Sequence, residues 1–279
     1  MKRFDLLGVP GVGKTTTFNL LRQFCNNTKE FLLFDEAYRS VMLSKLSPFV
    51  RFAFYSERLI PKRQLTIRFI HILNKWLDNK LQFKAFQVEK ENLFRAIQEM
   101  WNKYPDFMAI TLNGIGKQSL VESIVLPSDY FGFLIKTANR INQYDILQRS
   151  LGDKTPVIFD NSITHKVFSI VDFSRKINPE LITRYIRDMP QPKGTIIITA
   201  SPKVLVSRIR NRAKEGIVNT WHRPIVDSAL LEDWVSKACE VIQYTRISLQ
   251  EGGVPVIDLD GEEPPTVLAQ RAIEFIVNN

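Results

Sequence analysis

The eight residues Gly8-Val9-Pro10-Gly11-Val12-Gly13-Lys14-Thr15 constrain this chain more than any other stretch. They match the pattern G-x-x-x-x-G-K-[ST] at every fixed position. The glycines let successive backbone N–H groups turn inward and approach phosphate oxygens closely. Lys14 is expected to reach the β- and γ-phosphates, and the Thr15 hydroxyl to ligate Mg²⁺. The flanks agree with this. Phe4-Asp5-Leu6-Leu7 reads as a short buried strand, and the residues from Thr15 to Phe24 carry Phe18, Leu21 and Phe24 at helical spacing. Strand, glycine turn and helix N-terminus together make an anion site, because unpaired amides and the helix dipole face the phosphate. The motif therefore predicts binding of a nucleoside triphosphate, with contacts from residues 8 to 16: the eight motif residues and Thr16.

A chain of 279 residues suffices for one large domain, or for a core with a sizeable insertion. Cys25 and Cys239 lie far apart without CxxC spacing, and His71, His165 and His222 are not paired at ligand spacing. Neither a disulfide framework nor a histidine- or cysteine-based metal site is expected. The motif begins at residue 8, which leaves no room for a signal peptide before the first strand, and no apolar run approaches the ~20 residues that span a bilayer. A reducing, cytoplasmic setting is expected. The net charge of +9 is unevenly placed. Between Lys45 and Lys84 nine Lys or Arg face only Glu57 and Asp78, whereas from Ala85 to Thr155 the count is eight against eight.

Beyond the first helix, Phe31-Leu32-Leu33-Phe34 is an apolar run suited to a buried parallel strand, ending in Asp35-Glu36. Glu36 and Arg39 then share one face of a following helix at i, i+3. From about 45 to 155 little reads as strand. Aromatic residues interleave with Arg51 and Arg58, and Pro61 precedes an amphipathic helix reaching Phe83. Another helix is expected from Val88 to Tyr104, stopped by Pro105. Asn113-Gly114-Ile115-Gly116-Lys117 reads as a turn, and Ser128 to Leu151 as a helix. Strand patterns return at Pro156-Val157-Ile158-Phe159-Asp160 and at Thr195 to Thr199. Ser201-Pro202 opens a helix, Glu232 to Gln250 forms a long one, and a last strand (Val254 to Leu259) and helix (Pro265 to Val277) follow.

Five buried-type strands separated by helices predict a three-layer α/β/α fold with a five-stranded parallel sheet. The core is expected in two parts, 1–44 and 156–279. A mostly helical insertion at 45–155, between strands two and three, should cover the acceptor side.

With these residues in place, the core resembles the P-loop kinases of the nucleoside and nucleotide kinase type. The resemblance rests on the phosphate loop, on Glu36-x-x-Arg39, on Asp160 ending strand three, and on the stretch from Thr199 to Arg212. It implies a parallel-sheet P-loop fold and transfer of the γ-phosphate of Mg-ATP to a hydroxyl or phosphate of a nucleoside, nucleotide or sugar-like acceptor. It implies Lys14 on the phosphates and Asp35 or Glu36 as the base on the acceptor hydroxyl, with Glu36 favoured. Arg39 is implied beside the acceptor and Thr15 and Asp160 on Mg²⁺, while Arg208, Arg212 and Arg223 are candidate lid cations, Arg223 also being a candidate on the acceptor. The family often carries arginine after the strand-three acid, where this chain has Asn161. Phosphoryl transfer itself needs positioning and charge dispersal more than covalent help.

The basic start of the insertion suggests an anionic, large or surface-bound acceptor. A second class of function is a regulatory P-loop ATPase whose insertion docks an anionic partner. Peripheral membrane contact through the helix from Lys62 to Phe83 is a lesser reading. Nucleic-acid binding is disfavoured, since no recognisable module accompanies the charge. Asn74-Lys75-Trp76-Leu77-Asp78 has one residue too many for a guanine-reading motif, and no G-x-S-x-G elbow supports a serine hydrolase.

Overall fold

The computed structural model describes residues 1–28, 30–44, 98, 101–119, 127–153, 155–216, 226 and 229–279. The basic run of 45–84, the helix expected at 62–83, most of that expected at 88–104, and Arg223 lie outside the described residues.

Strand β1 (Lys2–Gly8) is central. β3 (Pro156–Phe159) lies on one side of it with β2 (Leu32–Leu33) beyond, and β4 (Gly194–Thr199) lies on the other with β5 (Val256–Asp260) beyond. The order is β2-β3-β1-β4-β5 and every pairing is parallel. All five strand C-termini therefore point to one edge, where ligands sit in open α/β sheets.

Strand alternation turns successive side chains to opposite faces. Phe4 meets Phe275 of helix α8 (Pro265–Asn278) edge-on at 6.0 Å, while Asp5 on the other face accepts from Thr164. Both faces are covered, which is why β1, β3 and β4 are almost wholly buried. Helix α1 (Lys14–Thr28) packs with α8 on the Phe4 face. A 3₁₀ helix (Thr164–Ser169), α5 (Pro179–Asp188), α6 (Pro202–Lys214) and α7 (Leu230–Glu251) follow β3 and β4. Between β2 and β3 the described chain is helical: α2 (Phe34–Ser44), α3 (Pro105–Ser119) and α4 (Pro127–Leu151).

Two local readings of the sequence are corrected. The second strand is only Leu32–Leu33, and Asp35-Glu36 belong to the first turn of α2 rather than to a strand end. The cause is Phe34, whose ring packs against Phe159 at 4.7 Å and Tyr38 at 5.8 Å; acidic residues in a first helical turn also suit the dipole. The turn expected at 113–117 lies inside α3. The first half of that helix is anchored by buried Phe107, Met108 and Ile110, with Phe107 at 4.9 Å from Tyr185, and packing outweighs the low helix propensity of Gly114 and Gly116.

β1 also holds a charged pair that its apolar pattern concealed. Arg3 and Asp5 are both buried, with Arg3 Nε 3.1 Å from Asp5 Oδ1 and Arg3 Nη2 donating to the Pro190 carbonyl at 2.6 Å. The Arg3 guanidinium lies over the Tyr144 ring at 5.1 Å, and Thr164 Oγ1 donates to Asp5 Oδ2 at 2.5 Å. This network ties β1 to α4 and to the 3₁₀ helix.

Candidate active site at the C-terminal edge of the sheet

The phosphate loop runs from Gly8 at the end of β1 to Lys14 at the start of α1. Gly11 and Gly13 have φ of 90° and 101°, a left-handed region that L side chains rarely occupy. Val12 N donates to the Val9 carbonyl at 3.2 Å, closing the turn, and Thr17 N donates to the Gly13 carbonyl at 3.0 Å as the first rung of α1. The next amides along the loop and helix start face outward, as at any helix N-terminus. Thr15 and Thr16 are exposed there.

Lys14 Nζ donates to the Asp160 main-chain carbonyl at 2.7 Å, which brings the loop against the end of β3. Desolvation pulls the Lys14 pKa down to about 8; Asp160 opposes this and Lys166 adds to it. Burial thus loosens the hold of Lys14 on its proton.

On the β4–β5 side lies a cavity of 320 Å³, bounded by Gly11 and Gly13, by Arg208, Asn211 and Arg212 of α6, and by Gly261 after β5. Arg208 Nη1 donates to the carbonyls of Gly261 (3.0 Å) and Val12 (3.4 Å), stapling α6 to both loops. Arg212, one turn further on the same helix, is exposed. Ser201 stands at the α6 N-cap as its sequence suggested, but its side chain makes no capping bond; instead its backbone N–H donates to Glu262 Oε1 at 2.8 Å. A Cβ at Gly261 would meet the Val12 carbonyl at 2.7 Å and the Thr199 carbonyl at 2.9 Å, so only glycine allows this close approach.

On the β2–β3 side the surfaces are charged side chains. Arg22 of α1 holds both candidate bases, with Nη2 3.8 Å from Asp35 Oδ2 and Nε 3.6 Å from Glu36 Oε1. The Asp35 side chain is 58% exposed and that of Glu36 36%. The Cys25 thiol stands 3.9 Å from Glu36 Oε2, and burial together with that carboxylate pushes the thiol pKa up. Arg39 is exposed on α2. Arg140 of α4 lies over the Phe34 ring at 4.1 Å; burial lowers its pKa, opposed by the carboxylates of Asp160, Asp35 and Asp5. Beyond Asp160, Ser162 Oγ accepts from His165 N at 3.3 Å. Burial holds the His165 imidazole well below its usual pKa, with Lys14 and Lys166 adding to the effect.

Lys14, Asp160, Asp35 and Glu36 are therefore gathered at one edge, with Arg208 and Arg212 across the loop from the acids. Sequence reasoning missed Arg22, Arg140, His165 and Lys166. Arg22 could have been found, since it lies on α1 two turns after Lys14. Arg140 carries no such mark, because only the packing of α4 brings it to β3.

The donors fit a magnesium ion. Among the described residues no cluster of three or more His, Cys, Asp or Glu occurs. One hydroxyl, Thr15, and one carboxylate, Asp160, stand near the loop, a hard, sparse oxygen set of the kind Mg²⁺ completes with phosphates and water.

No protein-family model matches the chain, and no curated protein does. Among solved structures the chain is similar to a deoxyadenosine kinase from M. mycoides with products dCMP and a flexible dCDP bound. The TM-score is 0.39 at 11% identity, covering 99% of this chain and 100% of that one, a likeness too slight to argue from.

Proposed function

We propose that this chain is a kinase that transfers the γ-phosphate of ATP to a small-molecule acceptor. The observation that supports this reading best is the position of Lys14. Its ammonium is desolvated at the end of β3, with a cavity of nucleotide-base size on one side of the loop and a pair of carboxylates on the other.

In this reading the base and ribose enter the cavity beside Arg208 and Asn211. The phosphates run along the Gly8–Thr16 amides, and Lys14 exchanges the Asp160 carbonyl for phosphate oxygens. Thr15 and Asp160 would hold Mg²⁺, which when bound neutralises charge on the phosphate oxygens. Arg212 serves as the lid cation at the cavity mouth, while Arg208 braces the wall. The acceptor hydroxyl lies at Asp35 and Glu36. Glu36 takes the proton, being the less exposed of the two and the one approached by both Arg22 and Cys25. Asp35, closer to the field of Arg140, orients the acceptor. Arg39 and Arg223 remain acceptor-side candidates.

The test is ADP release from ATP and Mg²⁺, with and without a panel of nucleosides, nucleotides, sugars and sugar phosphates. Stimulation by one acceptor class, with phosphate recovered on that acceptor, is expected. Steady hydrolysis indifferent to every acceptor would replace this reading with that of a partner-driven ATPase.

A further inference from the structure

We infer that Arg22 is a positioning residue, which from α1 sets the direction in which Glu36 presents its carboxylate to the acceptor. The inference rests on the kinase reading, in which Glu36 takes the acceptor proton, and it names what aims that base.

Helix α1 meets the Glu36 carboxylate at both oxygens. Arg22 Nε lies 3.6 Å from Oε1, and the Cys25 thiol lies 3.9 Å from Oε2. Residues 22 and 25 stand at i, i+3, so one face of the helix carries both contacts. The thiol is itself fixed, since Cys25 is buried and its Sγ donates to the Phe31 carbonyl at 2.8 Å. The guanidinium is fixed by the residue one turn earlier, Phe18, whose ring centroid lies 5.4 Å from it. Its Nη2 lies 3.8 Å from Asp35 Oδ2, so one side chain spans both acids.

The same helix begins at Lys14, eight residues before Arg22, or about 12 Å along its axis. The phosphate lysine and the residue that holds the base therefore share one rigid element. Glu36 belongs to another, α2, which is reached through β2. Arg22 ties the second element to the first at the side chain where alignment matters.

Stability does not account for this arrangement. Arg22, Asp35 and Glu36 are all open to water, and such ion pairs add little to folding. An exposed glutamate keeps its rotamer freedom unless something holds it. A base works only within a narrow range of geometry and loses rate steeply outside it.

Transfer from ATP to the best acceptor is measured for the unaltered protein, R22M, R22K, E36Q and the R22M/E36Q pair, with thermal unfolding followed in parallel. R22M should lower kcat about tenfold, move the KM for ATP less than about 2-fold and leave Tm within about 3 °C. R22K keeps the charge without the span and should recover part of kcat. In E36Q no carboxylate is left to aim, so the further loss of Arg22 should lower kcat less than about 2-fold. If R22M does not fold, R22Q and the R22Q/E36Q pair take its place.

Full kcat in R22M overturns the inference and leaves the kinase reading standing. So does a kcat loss that repeats undiminished in E36Q, or one that R22K leaves untouched while Tm falls by more than about 10 °C, the mark of a structural role. A change confined to the KM for the acceptor makes Arg22 a substrate contact and overturns it as well. Absence of transfer by the unaltered protein to every acceptor is the separate outcome that removes the kinase reading, and this inference with it.

Discussion

The two sides of the phosphate loop are made of different material. Toward β4 and β5 three glycines, Gly11, Gly13 and Gly261, bring main chain to the cavity, and Arg208 bridges the Val12 and Gly261 carbonyls, with Arg212, Glu215 and Glu263 completing the wall. Toward β2 and β3 the surface is made of charged side chains, Arg22, Asp35, Glu36 and Arg140, delivered by three helices. Main chain can serve any sequence that permits the turns, so it suits a ligand common to many proteins. Side chains can be exchanged singly, so they suit a ligand peculiar to one. The contrast supports assigning the nucleotide to the first side and the acceptor to the second.

The hardest test of that division is Lys14→Ala, since Lys14 stands where the sides meet. Transfer should fall about 10³-fold with the far-ultraviolet circular dichroism unchanged; undiminished turnover would end the active-site assignment. Next come the acids. Glu36→Gln is expected to lower kcat about 10²-fold with little change in the KM for ATP, and Asp35→Asn to cost less than about tenfold. The reverse order would transfer the role of base to Asp35. Gly261→Ala probes the main-chain side alone. With its Cβ forced to 2.7 Å from the Val12 carbonyl, it should destabilise by about 1–3 kcal/mol in denaturant titrations. It should also raise the KM for ATP several-fold while sparing that for the acceptor; an equal rise in both would blur the two sides.

The smallest expected effect is that of pH. Burial lowers the Lys14 pKa to about 8, so in the free protein the side chain loses its proton as pH rises through that value. A triphosphate favours the charged form, so binding at pH 8.5 should take up a proton, and affinity should decline a few-fold above pH 8. Calorimetry in two buffers of different ionisation enthalpy reads the uptake directly; none would mean that Lys14 is already charged before binding.

How far the sequence could be read follows the same divide. The loop, its strand and its helix are adjacent in the chain, and their chemistry depends on backbone geometry that Gly11, Gly13 and Lys14 specify on the spot. The parallel sheet was legible for a related reason. Strands buried on both faces are mainly apolar and β-branched, as Ile196-Ile197-Ile198 shows, and that pattern survives without knowledge of neighbours. The Arg3–Asp5 pair in β1 escaped notice because a buried charge is intelligible only beside its partners, here Pro190, Tyr144 and Thr164. β2 was overread for the converse reason. Phe31 to Phe34 is apolar like a strand, yet packing of Phe34 on Phe159 ends the strand at Leu33.

The sequence by itself determined that a parallel α/β sheet would carry a phosphate loop at its C-terminal edge, since both features are encoded within short runs of residues. It also marked Asp35, Glu36 and Asp160 as acids beside apolar runs. Only the tertiary structure decided which cations meet them. Arg22 and Arg140 come from helices more than a hundred residues apart in the chain, and a side chain's charge acts through space rather than along the chain.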